Sequence, residues 1–523
     1  MYKWFLAKRY LHTKLIAIFA ISSVTLCVAM VLVVISIMDG FLDMVKERSR
    51  GLLSDIVIDN QTLQGFPYYE EFQDALRNKL PDVVHDTTPV IYNYGILRVP
   101  ATKYTKYMRV LGIKLDGYQS VNTFGEGLYY NRYYPGTTHL GKQPQPVAGW
   151  DDDGNLVLPR QYMEANLRWR ESQSDTDEIA AYDVIPFSTR AGQRVFAVGS
   201  ETGGYEGPEK YGVIVGVDLI HEREADSTYT RYYAKGTDMT LAVMPMTPSG
   251  TPIGGRTANV VSLPVRYVDD SRTGVYEIDS VCVYVDFDWL QYNLSMDAQT
   301  REDGSVIPPR CSQLLVSLQP DTDFNAARAR IEDVWTEFRA ALPVASFSVE
   351  GRLLDLVGVE TWAERQRPFI AAVEKEKILM TILFWIISGV AIVLVGCIFY
   401  MIVEKKTRDI GILKSLGASA SGVAMIFIVY AVAIGIVGSA VGTAIGVTFV
   451  HYINEIQDWL AWLNPNLRVW SPEVYSFDRI PNEVKTEVIV WVAVVAVLSS
   501  ILGALIPAII AGRVWPVETL RYE

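Results

Sequence analysis

The residue types that usually mark an enzyme occur in this chain, but not at working spacings. His221-Glu222 has no second histidine one helical turn on, so the pair that would hold a catalytic zinc is incomplete. Gly417-Ala418-Ser419-Ala420-Ser421 lacks the closing glycine of a nucleophile elbow, the five histidines are scattered, and no phosphate-cradling G-x-x-x-x-G-K-[ST] loop occurs. The run Asp151-Asp152-Asp153-Gly154-Asn155 lacks the alternating ligands and distal glutamate of a calcium loop and reads as a hairpin turn. No catalytic residue, metal site or cofactor site is therefore expected in the chain, and no substrate-binding residue can be named.

What remains is one densely charged run: Glu404, Lys405, Lys406, Thr407, Arg408, Asp409, Ile410, Gly411, Ile412, Leu413, Lys414, Ser415, Leu416, Gly417. As a short helix from about Thr407, it sets Ile410, Leu413 and Gly417 along one side, with Ile412 and Leu416 beside them, while Lys405, Lys406, Arg408 and Lys414 stay in water. Its chemistry is recognition: an apolar side pressed into a partner's groove, or a basic loop lying on lipid headgroups.

The elements that position this run are apolar. Leu15–Met38, Ile378–Val403, Val423–Val450 and Val488–Ala511 contain no Asp, Glu, Lys or Arg. At about 1.5 Å rise per residue each exceeds the roughly 30 Å hydrocarbon core, so the expected fold is a membrane protein of four transmembrane helices. Leu15–Met38 reads as a retained anchor, because Met38-Asp39-Gly40-Phe41 is a poor cleavage site. A soluble enzyme is thereby excluded, and the net charge of −12 argues against nucleic acid, whose phosphates require a basic patch. None of the four runs carries an ionisable residue of the kind that proton- or sodium-driven transporters use, so energy for work across the membrane has to come from a partner.

Basic residues set the topology. Lys3, Lys8, Arg9 and Lys14 precede the first span without an acid, and Lys405, Lys406, Arg408 and Lys414 outnumber Glu404 and Asp409 between the second and third. Residues 1–14, 404–422 and 512–523 are expected in the cytoplasm, and 39–377 and 451–487 outside it; Trp459, Trp462 and Trp470 of the latter suit a membrane interface. The third span carries Gly438, Gly442 and Gly446 at four-residue steps, with Gly435, Ser439 and Thr443 on an adjoining row. Such small residues permit close helix contact, against this chain's own first span or against a partner.

Residues 39–377 read as a mixed α/β domain. Strands are expected at Ser54–Ile58, Ile91–Val99, Met108–Ile113, Arg194–Val198, Tyr211–Val217, Met239–Val243, Val260–Val268, Ser280–Phe287 and Gln313–Leu318, with Pro264 marking an edge strand or two short pieces. Helices are expected at Tyr69–Leu80, Trp289–Leu294 and Phe324–Leu342. The segment of about 118–210, rich in Tyr, Gly, Pro and acids, reads as an insertion. Cys282 and Cys311 could pair if the domain lies outside the cytoplasm.

The run Glu404–Ser419 resembles the signature of FtsX-like permeases, the membrane subunits of MacB-type ABC transporters. Lys8-Arg9-Tyr10-Leu11, Ser36-Ile37-Met38-Asp39-Gly40-Phe41, Gly274–Ser280, Trp362 through Glu374-Lys375, and Pro516–Glu523 resemble the lipoprotein-releasing, LolC/LolE branch. The resemblance implies that Thr407–Leu416 is a coupling helix seated in a separate ATPase subunit, which would hold ATP and magnesium, with Gly411 and Gly417 allowing close approach and helix exit. It further implies a second permease copy or paralogue, a periplasmic lipoprotein carrier, contact with membrane lipid, and motion of the external domain in the inner membrane of a bacterium. The external domain is longer than the branch implies. An efflux or signal-transmitting relative, or a membrane-anchored scaffold without ATP coupling, are the rival readings.

Overall fold

The computed structural model describes residues 15–99, 104–142, 146–147, 149–150, 156–158, 197–198, 205–206, 209–223, 229–233, 235–253, 260–300, 304, 306–464, 480, 482 and 484–515. Over these residues the chain divides into two compact units, one built on 15–45, 368–464 and 480–515, the other on 46–367.

Among the described residues, four helices are long and apolar enough to cross a membrane: α1 (Leu15–Leu53), α2 (Arg367–Ser415), α3 (Ala420–His451) and α4 (Thr486–Arg513). Their lengths follow from where breakers stand. No proline stands within 369–415 and its glycines, Gly389, Gly396 and Gly411, are isolated, so α2 runs unbroken for 49 residues, about 73 Å at helical rise, and carries the charged run as its C-terminal end. The short separate helix expected from Thr407 is therefore corrected: 404–415 is the last part of α2. Between α3 and α4 a further helix, Ile453–Leu463, leaves Trp459 and Trp462 exposed; Trp470 lies outside the described residues.

Small residues let the helices meet. A Cβ on Gly438 would lie 2.8 Å from Val24, one on Gly442 2.7 Å from the Thr25 carbonyl, and one on Gly446 3.2 Å from the Ala29 carbonyl, so this row seats α3 against α1 of the same chain. Gly435 instead meets Val497 and Ser500 of α4, and Gly503 of α4 meets the Ile392 carbonyl of α2. Ser439 turns inward onto its own helix, its Oγ donating to the Ile436 carbonyl (3.1 Å), and Thr443 is half-buried. Beyond the uncharged part of α1, Asp39 pairs with Lys377 of α2, and Asp43 with Lys485 just before α4 (2.5 Å).

The second unit is mixed α/β. Its main sheet has nine strands: β1 (Ile56–Asp59), β2 (Val84–Val99), β3 (Tyr104–Ile113), β4 (Tyr211–Gly216), β5 (Asp238–Val243), β6 (Val261–Ser271), β7 (Cys282–Asp286), β8 (Gln313–Leu318) and β9 (Gly358–Thr361), in the order β5-β6-β4-β7-β3-β2-β8-β1-β9. The β3–β7 and β4–β6 pairs are parallel and the rest antiparallel. The 16-residue β2 is long enough to take β8 on its first half and β5 on its second, where Gly95 to Arg98 face Val243 to Thr240. That second pairing closes six strands into a ring filled by Leu97, Val110, Val213, Leu241, Val265 and Val283. β6 is one continuous strand: Pro264 pairs with Thr240 of β5 and precedes Val265, the first residue of β6 to pair with β4, so its missing N–H interrupts no second ladder.

Phe324–Ala341 is capped by Asp323, whose carboxylate accepts from the Ala326 N–H (2.7 Å), and buries Ala327, Ile331, Val334 and Trp335 against the sheet. Trp335 meets Phe72 of helix Tyr69–Lys79 edge-on, with centroids 4.8 Å apart. Cys282 and Cys311 are both buried and free. Of the expected insertion, helices Leu115–Val121 and Tyr129–Tyr133 are described; the strands flanking 151–155 pair antiparallel, Gly149 with Val157 and Trp150 with Leu156, while Asp151–Asn155 themselves lie outside the described residues.

Candidate functional site

The charged end of α2 turns into α3 through four residues, and the turn is chemically complete. Gly417 has φ +96°, a left-handed conformation that a residue without Cβ adopts at no cost. Its N–H donates to the Lys414 carbonyl (3.0 Å) and that of Ala418 to the Leu413 carbonyl (3.1 Å), the paired bonds of a Schellman stop. Ser419 then caps α3, its Oγ accepting from the Gly422 N–H (3.1 Å).

Within the helix, burial sorts the side chains differently from the sequence expectation. Ile410 is only 3% exposed, packed with the apolar interior of the bundle beside Val403, and Gly411 is buried with it. Lys414 does not stay in water: its Nζ donates to the carbonyls of Gly512 (2.9 Å) and Val514 (2.6 Å) at the end of α4. Lys406 pairs with Asp409 at 2.6 Å, and the Thr407 Oγ1 donates back to the Val403 carbonyl at 2.9 Å. Leu413 is half-buried; Glu404 is exposed. The outward stripe is Lys405, Arg408, Ile412 and Leu416, at three- and four-residue steps, with Leu416 80% exposed. The correction is that Ile410 belongs to the bundle interior and Ile412 to the open face, because the bundle claims the side of the helix that carries Val403, Ile410 and Gly411.

Residues 381–514, which span α2, the turn, α3 and α4, match the FtsX-like permease C-terminal family. The chain carries an FtsX-like permease domain. Over 169 residues (32% of this chain, 40% of the relative) it is 31% identical to the lipoprotein-releasing system transmembrane protein LolC of Neisseria meningitidis serogroup B. It is 22% identical over 227 residues to the corresponding LolE of Haemophilus influenzae (43% and 53% covered), and 27% identical over 157 residues to the ABC transporter permease YknZ of Bacillus subtilis (29% and 34% covered). The chain spans about 40% of the length of the LolC relatives it matches. The charged turn lies inside this permease domain, and the relatives it matches include permeases of the LolC/LolE branch and of other ABC transporters.

The second unit holds a polar cluster that sequence spacing did not reveal. At the end of β6, Asp269 accepts from the backbone N–H groups of Tyr130 (2.7 Å) and Asn131 (2.8 Å) and from the Thr138 hydroxyl (2.5 Å). Asp270 takes the Arg231 guanidinium at 3.0 Å, and Lys235 donates to the Thr137 carbonyl (3.2 Å) and hydroxyl (3.0 Å). Burial raises the Asp269 carboxyl to about 6 against the pull of Lys235, and lowers the Lys235 amine to about 8. His221 is driven well below its ordinary range by burial; its Nδ1 accepts from the Tyr232 N–H, so Nε2 carries the proton toward the Tyr267 hydroxyl (3.0 Å). Asp269, Asp270 and Lys235 are at most 1% exposed, so the cluster fastens 129–138 to the sheet and reaches no solute. Its one sequence signal is the pair of acids ending a strand-like run. The Gly274–Ser280 motif is likewise structural: Asp279 accepts from the N–H groups of Thr273 (2.8 Å) and Gly274 (2.9 Å) to hold a turn.

Proposed function

We propose that this chain is the non-catalytic permease subunit of an ABC transporter that releases lipoproteins from the outer leaflet of a bacterial inner membrane. The carrying observation is the exposed cationic and apolar stripe Lys405, Arg408, Ile412 and Leu416, held on a rigid helix end inside the permease domain. A separate ATPase subunit, holding ATP and magnesium, takes this stripe into a groove; a second permease copy or paralogue completes the membrane part. The basic residues put the stripe, 1–14 and 512–523 in the cytoplasm and the α/β unit in the periplasm, in reach of a lipoprotein carrier. Binding of nucleotide shifts the permease only to the extent that the ATPase holds its two conformations with different affinity. The lipoprotein cargo rests on the LolC and LolE relatives.

The test is to extract the chain in mild detergent and ask whether an ATPase co-purifies, with a Lys405→Glu, Arg408→Glu variant beside the wild type. The reading expects an ATPase with the wild type and its loss from the variant. A wild-type sample without ATPase activity refutes the transporter reading and favours the anchored scaffold. An efflux or signal-transmitting permease is the alternative reading, and a release assay with an acylated lipoprotein separates it from lipoprotein release.

A further inference from the structure

The sequence places Lys414 with the solvated cations, yet its ammonium is spent inside the chain. It spans from the last turn of α2 to the Gly512 and Val514 carbonyls, which end α4 and have no partner in their own helix. A cation there also meets the negative end of the α4 dipole. A second contact fixes the same place from the other side of the turn: a Cβ on Gly512 would lie 2.7 Å from the Ala420 carbonyl, the first residue of α3. The end of α4 is thus gripped by Lys414 before the turn and by Ala420 after it, while Gly417 at the tip has nothing within 4 Å of its Cβ position.

Resting on the coupling reading above, we infer that Lys414 is a positioning residue that makes the turn and the end of α4 one body, so that the stroke of the ATPase enters α4 directly and not only α2 and α3. The arrangement separates two tasks along one helical segment. Ile412 and Leu416 face outward to receive the partner; Lys414, between them in sequence, faces inward and passes the displacement on. From its end, α4 reaches α3 through Gly435, Val497 and Ser500, and α2 through Gly503 and Ile392. The second and fourth helices are then driven from one point. Methionine in place of Lys414 keeps the apolar stem and loses the donors, whereas arginine keeps a cation with N–H groups in reach of both carbonyls.

The experiment uses the whole complex with its ATPase in lipid nanodiscs, in a Cys27→Ala, Cys397→Ser background. Spin labels at Leu502 (α4) and Val390 (α2) report the α4 displacement on loading with ATP and magnesium; labels at Val390 and Val441 (α3) report the α2–α3 displacement. All three positions are exposed. In Lys414→Met the ATPase is expected to co-purify, the α2–α3 change to persist, and the population shift at α4 to fall at least about fivefold, the lower end of ordinary coupling energies. Lys414→Arg is expected to restore it, and Gly512→Ala, which pushes the end of α4 off Ala420, to reproduce the loss by an independent route. An α4 change in Lys414→Met equal to the wild type overturns the inference, as does loss of the ATPase from Lys414→Met, which would return Lys414 to the docking face. Absence of any ATPase from the wild-type complex instead refutes the coupling reading itself.

Discussion

The division of the α2 end into an inner and an outer face predicts opposite consequences for neighbouring residues of the same chemical type. Leu416 is 80% exposed and Ile412 44% exposed, and full burial of such a side chain is worth about 1.5–3 kcal/mol, so scaling by exposure gives about 2–4 kcal/mol for the pair on docking. At 1.4 kcal/mol per decade, Ile412→Ala, Leu416→Ala is expected to weaken ATPase binding roughly 25- to 700-fold. The same double variant should unfold as the wild type does, within about 0.5 kcal/mol, because neither side chain contributes to the interior. Ile410→Ala is the mirror case: at 3% exposure it opens a cavity in the bundle and is expected to cost about 2–5 kcal/mol of stability. The assay is titration of the purified ATPase onto the chain in nanodiscs, paired with thermal unfolding of each variant. Full ATPase affinity in the double variant, with a loss of affinity in Ile410→Ala at unchanged stability, refutes this assignment of faces.

Two further predictions concern packing and buried charge. Gly442→Leu forces a side chain into the Thr25 carbonyl of α1 and is expected to destabilise the bundle by about 1–3 kcal/mol in detergent, whereas Gly389→Ala on α2, with nothing within 4 Å, should be neutral or stabilising by up to about 1 kcal/mol; equal effects would deny the α3–α1 contact. For Asp269, the folded carboxyl at about 6 lies above the ordinary 3.8, so its contribution to stability is full below pH 3.8 and lost as pH rises through 6. Two units correspond to about 3 kcal/mol. Amide hydrogen exchange at Tyr130 and Asn131 should therefore accelerate between about pH 4 and 6 beyond the intrinsic rate, and Asp269→Asn should lower this excess, with Asp270 and Asp279, whose carboxyls burial also raises, carrying the rest; an unchanged excess would assign it wholly to those groups.

Much of the fold was legible because its signals are local. Uncharged runs of 24 to 28 residues exclude any aqueous placement, and alternating Val, Ile and Tyr mark β3, β4, β5, β7 and β8 within a few residues, whereas β2 begins at Val84, ahead of the expected Ile91, because Asp86, Thr87 and Thr88 break the apolar pattern. The α2 end was misread as a separate helix because charge was taken as a boundary; charge ends a membrane run but does not break a helix, and only Gly417 does so. Pro264 sits as the edge reading expects, with one paired neighbour, and the strand is not split into two pieces, since whether a proline costs a ladder bond depends on which neighbour lies opposite it.

The sequence alone determined that the chain carries apolar runs long enough to cross a membrane, and it singled out one charged run between two of them as the candidate site for a partner. It could do so because hydropathy and glycine stops act over one or two turns of chain. Tertiary structure decided what depends on residues far apart: that the Gly438 row meets α1, that β5 closes a ring on β2, that Asp269 and Lys235 share one buried cluster, and that Lys414 is claimed by the end of α4. Helical periodicity defines faces, but which face is buried is settled by the neighbour that covers it. For the turn at Gly417 that neighbour lies about a hundred residues along the chain.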